Sequence, residues 1–361
     1  MSEKCKNIWT ISVLSVFVLG FLIWGLAKPD EVQSASERRP LAAFPELSLV
    51  TVQSGKFMSD FEKYTLDQFP LRDQFRQVKA LTALYALGQQ DNNDLYVQSG
   101  SIIKQEYPLD SASITHAADR FRYVYDRYFA QGQGKVYVSL IPDKNYFGKN
   151  HLSMDYQAMV TSLRTQMDFA QYIDIFPLLE LEDYYRTDTH WRQEKILDVA
   201  KKLGQEMGVP LRANYTVEQL EQPFYGVYHG QFALPQPAEE LYYLRNDLTD
   251  GYQVYDYETG QNLPVYNLEA GQDLYELFLF GSKSLLTLEN PAATTDRELV
   301  VFRDSFGSSL IPLLAEGYRR ITVVDIRYIS PAILGRFVEL KDQDVLFLYS
   351  ATVLNNSITL K

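Results

Sequence analysis

The sequence predicts an α/β fold, a parallel sheet with helices on its faces, preceded by one membrane-crossing helix. Three observations predict it. Apolar runs at 299–302, 321–324 and 345–349 alternate with helical patterns, the spacing of parallel βαβ units. Val136-Tyr137-Val138-Ser139-Leu140-Ile141 reads as a further buried strand, ended by Pro142. Residues 8–26, from Ile8 through Leu26, are uncharged and mostly apolar.

At 1.5 Å per residue, the apolar run is about 28 Å long, close to the thickness of a bilayer's hydrocarbon layer. Lys4 and Lys6 precede it, which favours an N-in orientation with the body outside the cytoplasm. A cleaved signal peptide is the competing reading, with Ser34-Ala35-Ser36 small enough for cleavage. The run is longer than a usual signal core, so an uncleaved single-pass anchor is preferred.

Residues 29–40 are polar and read as a tether. Residues 41–130 read as a helical N-terminal segment packed on the core. Within it, the amphipathic pattern from 61 to 87 is interrupted at Asp67-Gln68-Phe69-Pro70-Leu71-Arg72, because Pro70 has no amide hydrogen to give. The α/β domain is expected over 131–361. Helices are expected at 155–170 and 193–207. The latter carries Ile196, Ala200, Leu203 and Met207 at helical spacing and ends at Gly208. Residues 209–297, rich in tyrosine, proline and glycine, are expected to form a β-rich insertion. A helix from 308 to 316 is ended by Gly317, and another runs from 331 to 340 with Pro331 in its first turn.

Composition narrows function. The 361 residues carry a formal net charge of −12, which argues against nucleic acid or anionic lipid headgroups as the main ligand. Cys5 is the one cysteine, so an intrachain disulfide and a cysteine-rich zinc site are excluded. The 26 tyrosines suit both wet cores and sugar surfaces.

In parallel sheets, functional groups gather at the carboxyl ends of strands. Arg303-Asp304-Ser305-Phe306-Gly307 falls there, as a sharp strand-to-helix turn. Such a turn can present a nucleophilic serine, or simply be a turn. A serine hydroxyl needs a base, and the base needs an orienting carboxylate. Asp188 and His190 lie at i and i+2, on one side of an extended segment. Trp191 either walls the site or packs beneath it. Arg327 and Tyr328 follow another strand. Arg327 has two roles open to it, binding a substrate group or pairing with Asp325. Lys144, at a third strand end, is equally open. His116, His151 and His229 are weaker candidates, and no metal-ligand spacing or cofactor motif is present.

Together, Thr187-Asp188-Thr189-His190-Trp191 and the later Arg303-Asp304-Ser305-Phe306 resemble the DHHW protein family and the related alginate O-acetyltransferases, which are SGNH-hydrolase-like. Leu41-Ala42 with Phe44-Pro45, Asp67 with Phe69-Pro70 and Arg72, Ile141-Pro142-Asp143-Lys144 and Asp325-Ile326-Arg327-Tyr328 fit the same pattern. The likeness spans about 37–350. Thr189 departs from the DHHW name at its second letter.

The resemblance implies a flavodoxin-like sheet with circularly permuted motif order, since Asp-x-His precedes the serine. It implies Ser305 as nucleophile, His190 as base and Asp188 as orienter. Oxyanion donors are expected among the N–H groups of Ser305, Gly281 and Ser282. Arg327, Tyr328, Trp191 and Lys144 are expected around the substrate. The implied activity is extracytoplasmic O-acetyl transfer to a cell-envelope or exopolysaccharide, with a membrane-bound O-acyltransferase as acetyl supplier. Alternatives are an acetylesterase with the same triad, or a non-catalytic polysaccharide-binding or assembly protein on this scaffold.

Overall fold

The computed structural model describes residues 2–34, 36–149, 151–212 and 214–361. Ala35, within the candidate cleavage stretch, lies outside the described residues. The chain divides into two compact units, Met1–Asn93 with His229–Pro235, and Asp94–Tyr228 with Gln236–Lys361. The boundary expected near 130 therefore falls near 93. Helix Ser111–Tyr128 belongs to the second unit because its apolar face, with Ile114, Phe121 and Val124, is buried in that unit's core.

The first unit begins with α1 (Glu3–Ala27), which is long and apolar enough either to cross a membrane or to serve as a signal sequence. A two-residue ribbon follows, β1 (Gln33–Ser34) with β2 (Arg39–Pro40). Then come α2 (Leu49–Gln53), α3 (Lys56–Asp67) and α4 (Arg72–Leu81). The break between α3 and α4 is where the sequence places it. Ionic contacts fix the elbow. The Asp67 carboxylate takes two hydrogen bonds from Arg39, at 2.9 and 2.6 Å, and one from the Ala42 N–H. Glu37 meets both Arg72 and Arg76.

The second unit is built on an eight-stranded sheet. A separate hairpin, β3 (Leu95–Gln98) and β4 (Ser101–Lys104), comes first, then α5 (Ser111–Tyr128). The sheet's parallel part holds β5 (Val136–Ile141), β6 (Gln171–Tyr172), β12 (Glu298–Arg303), β13 (Arg320–Val324) and β14 (Asp344–Ser350), in the order β13-β12-β14-β5-β6. Helices α6 (Tyr156–Gln166), α7 (Leu197–Glu206) and α10 (Gly307–Leu314) cover its faces. Alternation along β12 explains the layering. Leu299 and Val301 join the core shared with α7 and α10, while Val300 and Phe302 join the core shared with α5 and α6.

Residues 209–297 do not form one insertion. β7 (Thr216–Phe224) and β8 (Glu239–Arg245) pair with each other, joined through α8 (Val227–Phe232). After α9 (Asp247–Gly251), β9 (Gln253–Asp256), β10 (Gln261–Leu263) and β11 (Leu285–Glu289) extend the main sheet antiparallel from β13. Short alternating strands look alike whether they extend a sheet or stand apart, so sequence did not separate them. The expected helix from 331 is a short 3₁₀ segment, Pro331–Arg336, with Gly335 inside it weakening helical propensity. A last short helix, α11 (Ala351–Asn355), follows β14.

The chain leaves β12 toward β13 and leaves β5 toward β6, with β14 between them. The carboxyl edge between these diverging connections is where an α/β sheet opens a crevice.

Phe302 is fully buried and its ring stacks on Phe347 at 5.0 Å. Phe302→Ala is expected to lower unfolding free energy by about 3–5 kcal/mol, read as a fall in denaturant midpoint.

Candidate active site

Two loops meet at the carboxyl edge of the sheet. The first follows β12. Asp304 is fully buried, and its carboxylate accepts from the N–H of Phe306 at 3.0 Å and of Ser350 at 2.8 Å. It thereby caps its own turn and ties that turn to the end of β14. Gly307 begins α10 directly over Arg303, where a Cβ would lie 2.8 Å from the Arg303 Cβ. Ser305 is left part-exposed between these buried neighbours.

The second loop spans 185–190. It is closed at its base by a β-bridge between Tyr184 and Trp191, and the Tyr185 N–H donates to the His190 carbonyl at 3.0 Å. Asp188 and His190 come together through a bend rather than along an extended strand. One carboxylate oxygen of Asp188 accepts from the His190 N–H at 3.0 Å and is 2.6 Å from His190 Nδ1. The other accepts from the Val227 N–H at 2.9 Å. Gly226 passes so close that a Cβ there would overlap Asp188.

Across the gap, His190 Nε2 is 2.8 Å from Ser305 Oγ. The three side chains thus form one hydrogen-bonded line from a buried carboxylate to a part-exposed hydroxyl. Burial alone pushes the Asp188 pKa up. The charge and Nδ1 contact of His190, with the two backbone N–H groups, outweigh it and hold the carboxyl well below its usual range. A carboxylate there fixes the imidazole with Nδ1 as the donor, leaving Nε2 to accept the serine proton.

The imidazole is also held by its faces. The Tyr275 ring stacks on it at 3.8 Å, nearly parallel, and Phe306 lies at 4.9 Å. Tyr275 Oη is 2.9 Å from Ser309 Oγ. Nothing in the sequence marks Tyr275 among 26 tyrosines.

The other expected residues fall differently. Trp191 is fully buried, and its Nε1–H donates to the Phe306 carbonyl and to Ser309 Oγ, so it packs beneath the site and does not wall it. Arg327 makes a two-pronged pair with Asp325, at 2.9 and 2.7 Å, the second of the two roles open to it. Tyr328 is half-exposed. The Gly281 N–H is already donated to the Phe278 carbonyl at 3.1 Å, which removes it from the oxyanion donors. His116 meets Ser357, and His151 stacks on Tyr96. His229 lies in the first compact unit. Among the described residues, no group of three ligand-type side chains could hold a metal ion.

Lys144 needs the largest correction. It is buried, and its ammonium is turned into the loop that carries Asp188. Its Nζ contacts the backbone carbonyls of Tyr185, Arg186 and Asp188 at 2.8, 3.1 and 3.0 Å. Three acceptors match the three N–H bonds of an ammonium. Burial pushes the Lys144 pKa down to about 7, against the upward pull of Glu239 and Asp188. Glu239, the first residue of β8, takes the opposite side of the same loop. It accepts from the N–H groups of Arg186 and Thr187 and from Thr187 Oγ1, at 2.6, 2.7 and 2.6 Å. One cation thus grips the loop by its carbonyls and one anion by its amides.

No protein-family model and no curated protein sequence matches the chain. Several solved structures do. A DHHW family protein from Eubacterium siraeum matches at 18% identity with a TM-score of 0.61, over 75% of this chain and 95% of that one. Bacillus cereus PatB1, solved with a sulfonyl adduct, matches at 16% identity with a TM-score of 0.56, over 72% and 97%. The O-acetyltransferase domain of Pseudomonas putida AlgJ aligns at 12% identity with a TM-score of 0.44, over 72% and 92%.

Asp143 is buried, accepts from Tyr156 Oη and the Asn145 N–H, and burial raises its pKa to about 7. Its folded value lies above the unfolded one. The stability it contributes is therefore full below about pH 4 and is lost as pH rises through 7. Asp143→Asn removes that loss, so the variant should gain on wild type in melting temperature between pH 4 and 8. Lys144→Met leaves three buried carbonyls without a donor. It should cost at least about 3 kcal/mol, measured by chemical denaturation.

The likeness to a DHHW family protein that the motifs point to is thus present in the fold of this chain.

Proposed function

We propose that the chain is an O-acetyltransferase acting on a cell-envelope or secreted polysaccharide through an acetyl-serine intermediate. The observation that carries this reading is the unbroken line Asp188–His190–Ser305, with contacts of 2.6 and 2.8 Å. Ser305 Oγ attacks the carbonyl carbon of an acetyl donor while His190 Nε2 takes its proton. As the tetrahedral intermediate collapses, the bond to the leaving group breaks, and His190 returns the proton to that group. A sugar hydroxyl then attacks the acetyl-Ser305 carbonyl and gives its proton to His190. Collapse releases the O-acetyl sugar and restores Ser305.

The developing oxyanion needs N–H donors close to the reacting carbon. The Ser305 N–H and the Ser282 N–H are the candidates left. Tyr328 is the member of the expected substrate set still available to an acceptor. In this reading the Asp-x-His loop precedes the serine, the permuted order. The apolar α1 is an uncleaved N-in anchor that holds the second unit outside the cytoplasm. Acetyl groups would then come from a membrane-bound O-acyltransferase.

Water could replace the sugar hydroxyl in the second step, which would make the protein an acetylesterase. A chromogenic acetyl ester supplies the first test. Ser305→Ala or His190→Ala should lower turnover by about 10³-fold or more, and equal rates in all three proteins would leave a non-catalytic binding role. Mass measurement of an added oligosaccharide separates the two chemistries. Acceptor gaining acetyl mass supports transfer, whereas free acetate alone identifies an esterase.

A further inference from the structure

The first compact unit carries an apolar surface that the chemistry at Ser305 does not use. Helix α4 is two-faced. On one side, Arg72 and Arg76 turn toward Glu37. On the other, Leu71, Phe75 and Val78 follow at helical spacing and are exposed, Leu71 by 43% and Val78 by 58%. Phe69 and Leu81 extend this uncovered patch. A stripe of this kind on a water-facing surface marks an interaction site.

What lies beside the stripe identifies its partner. The Phe21 ring of α1 stacks on Phe69 at 5.3 Å, 4° from parallel, and meets Phe75 edge-on at 5.6 Å. One turn later, Gly25 of α1 faces Pro70, so the bare glycine lets the elbow come close to the helix. Phe21, Gly25 and Lys28 are the less exposed residues at this end of α1, spaced four and three apart on one face. If Lys28 marks the water interface, Phe21 lies about 10 Å deeper, at 1.5 Å per residue. Side chains packed on Phe21 then share its depth. That depth is typical of the apolar face of an interfacial helix.

We propose that the elbow between α3 and α4, with Phe69, Leu71, Phe75 and Val78, is inserted among the acyl chains of the bilayer beside α1. The proposal rests on α1 being a membrane span. The anchor is then a wedge formed by a crossing helix and a shallow helix, not a single tether. The shallow helix fixes the tilt and height of the first unit, because rotating it away would expose its stripe to water.

The test uses the full-length chain in phosphatidylcholine–phosphatidylglycerol vesicles at low protein density. Cys5→Ser removes the native thiol. Single cysteines are then placed at Val78→Cys, at Val16→Cys within α1 and at Gln157→Cys on α6, and labelled with an environment-sensitive fluorophore. All three positions are exposed, so the fold is left intact. A nitroxide on the lipid acyl chain should quench the Val78 and Val16 labels several-fold more than the Gln157 label, because only the first two lie at acyl depth, with iodide in the water doing the reverse. Leu71→Cys should repeat the Val78 result. Quenching at Val16 without quenching at Val78 overturns the proposal and leaves the anchor standing. A blue-shifted Val78 label that acyl nitroxide does not quench means that protein covers the stripe, which also overturns it. Quenching at neither position shows that α1 is not a span, and the anchor reading fails together with the wedge.

Discussion

A carboxylate almost wholly out of water must either be protonated or be given hydrogen bonds. Asp188 is given three, from the His190 N–H, His190 Nδ1 and the Val227 N–H. Much of the surrounding architecture is explained by that requirement. The loop must bend so that residues two apart reach one oxygen. Gly226 must lack a side chain so that the Val227 N–H can reach the other. The loop itself must be stiff, and Lys144 and Glu239 supply that stiffness from opposite sides through six contacts to its backbone and to Thr187. The position of His190 follows from this one buried charge.

The serine side is held by a second group of buried charges. Arg303 is fully buried and donates to the Gly281 carbonyl at 3.0 Å, while one of its nitrogens lies 3.6 Å from Asp325. Asp325 is shared with Arg327. This chain of charges ties the ends of β12 and β13 to the 279–281 turn. That turn runs through the left-handed region at Leu279, Phe280 and Gly281. Two of these residues carry side chains, a conformation that costs of order 1–3 kcal/mol each. The strain is borne where the Gly281 carbonyl meets Arg303 and Ser308. Buried ion pairs are weak evidence of stability, and what these contribute is a direct link between two strand ends and one turn.

The sequence was most legible where one physical signal dominated. The uninterrupted apolar runs of β5, β12, β13 and β14 read as buried strands whose spacing argued for a parallel sheet, and Ser305-Phe306-Gly307 read as a tight turn. The i, i+2 spacing paired Asp188 with His190, although a bend and not a strand makes the pair. Polar residues at strand ends were harder to read, because such a group faces a ligand or a neighbour with equal ease. Lys144 and Arg327 were candidates for substrate contacts and proved to hold a backbone and a carboxylate. Glu239 and Tyr275 carried no local signal. They matter only through residues 52 and 85 positions away, Thr187 and His190, and that proximity exists only in three dimensions.

The pairing of β5 with β14, Val136 opposite Val345, has a consequence for how the protein is made. The two strands are adjacent in space but separated by about two hundred residues of synthesis. Long-range parallel pairing of this kind is slow and leaves strand edges exposed meanwhile. A nascent chain that has already delivered Asp188 and His190 still lacks β12, the serine turn and the strand that anchors Asp304. The hydrogen-bonded line Asp188–His190–Ser305 is thus among the last features the chain can assemble. A partly made copy has the first two of these residues without the third.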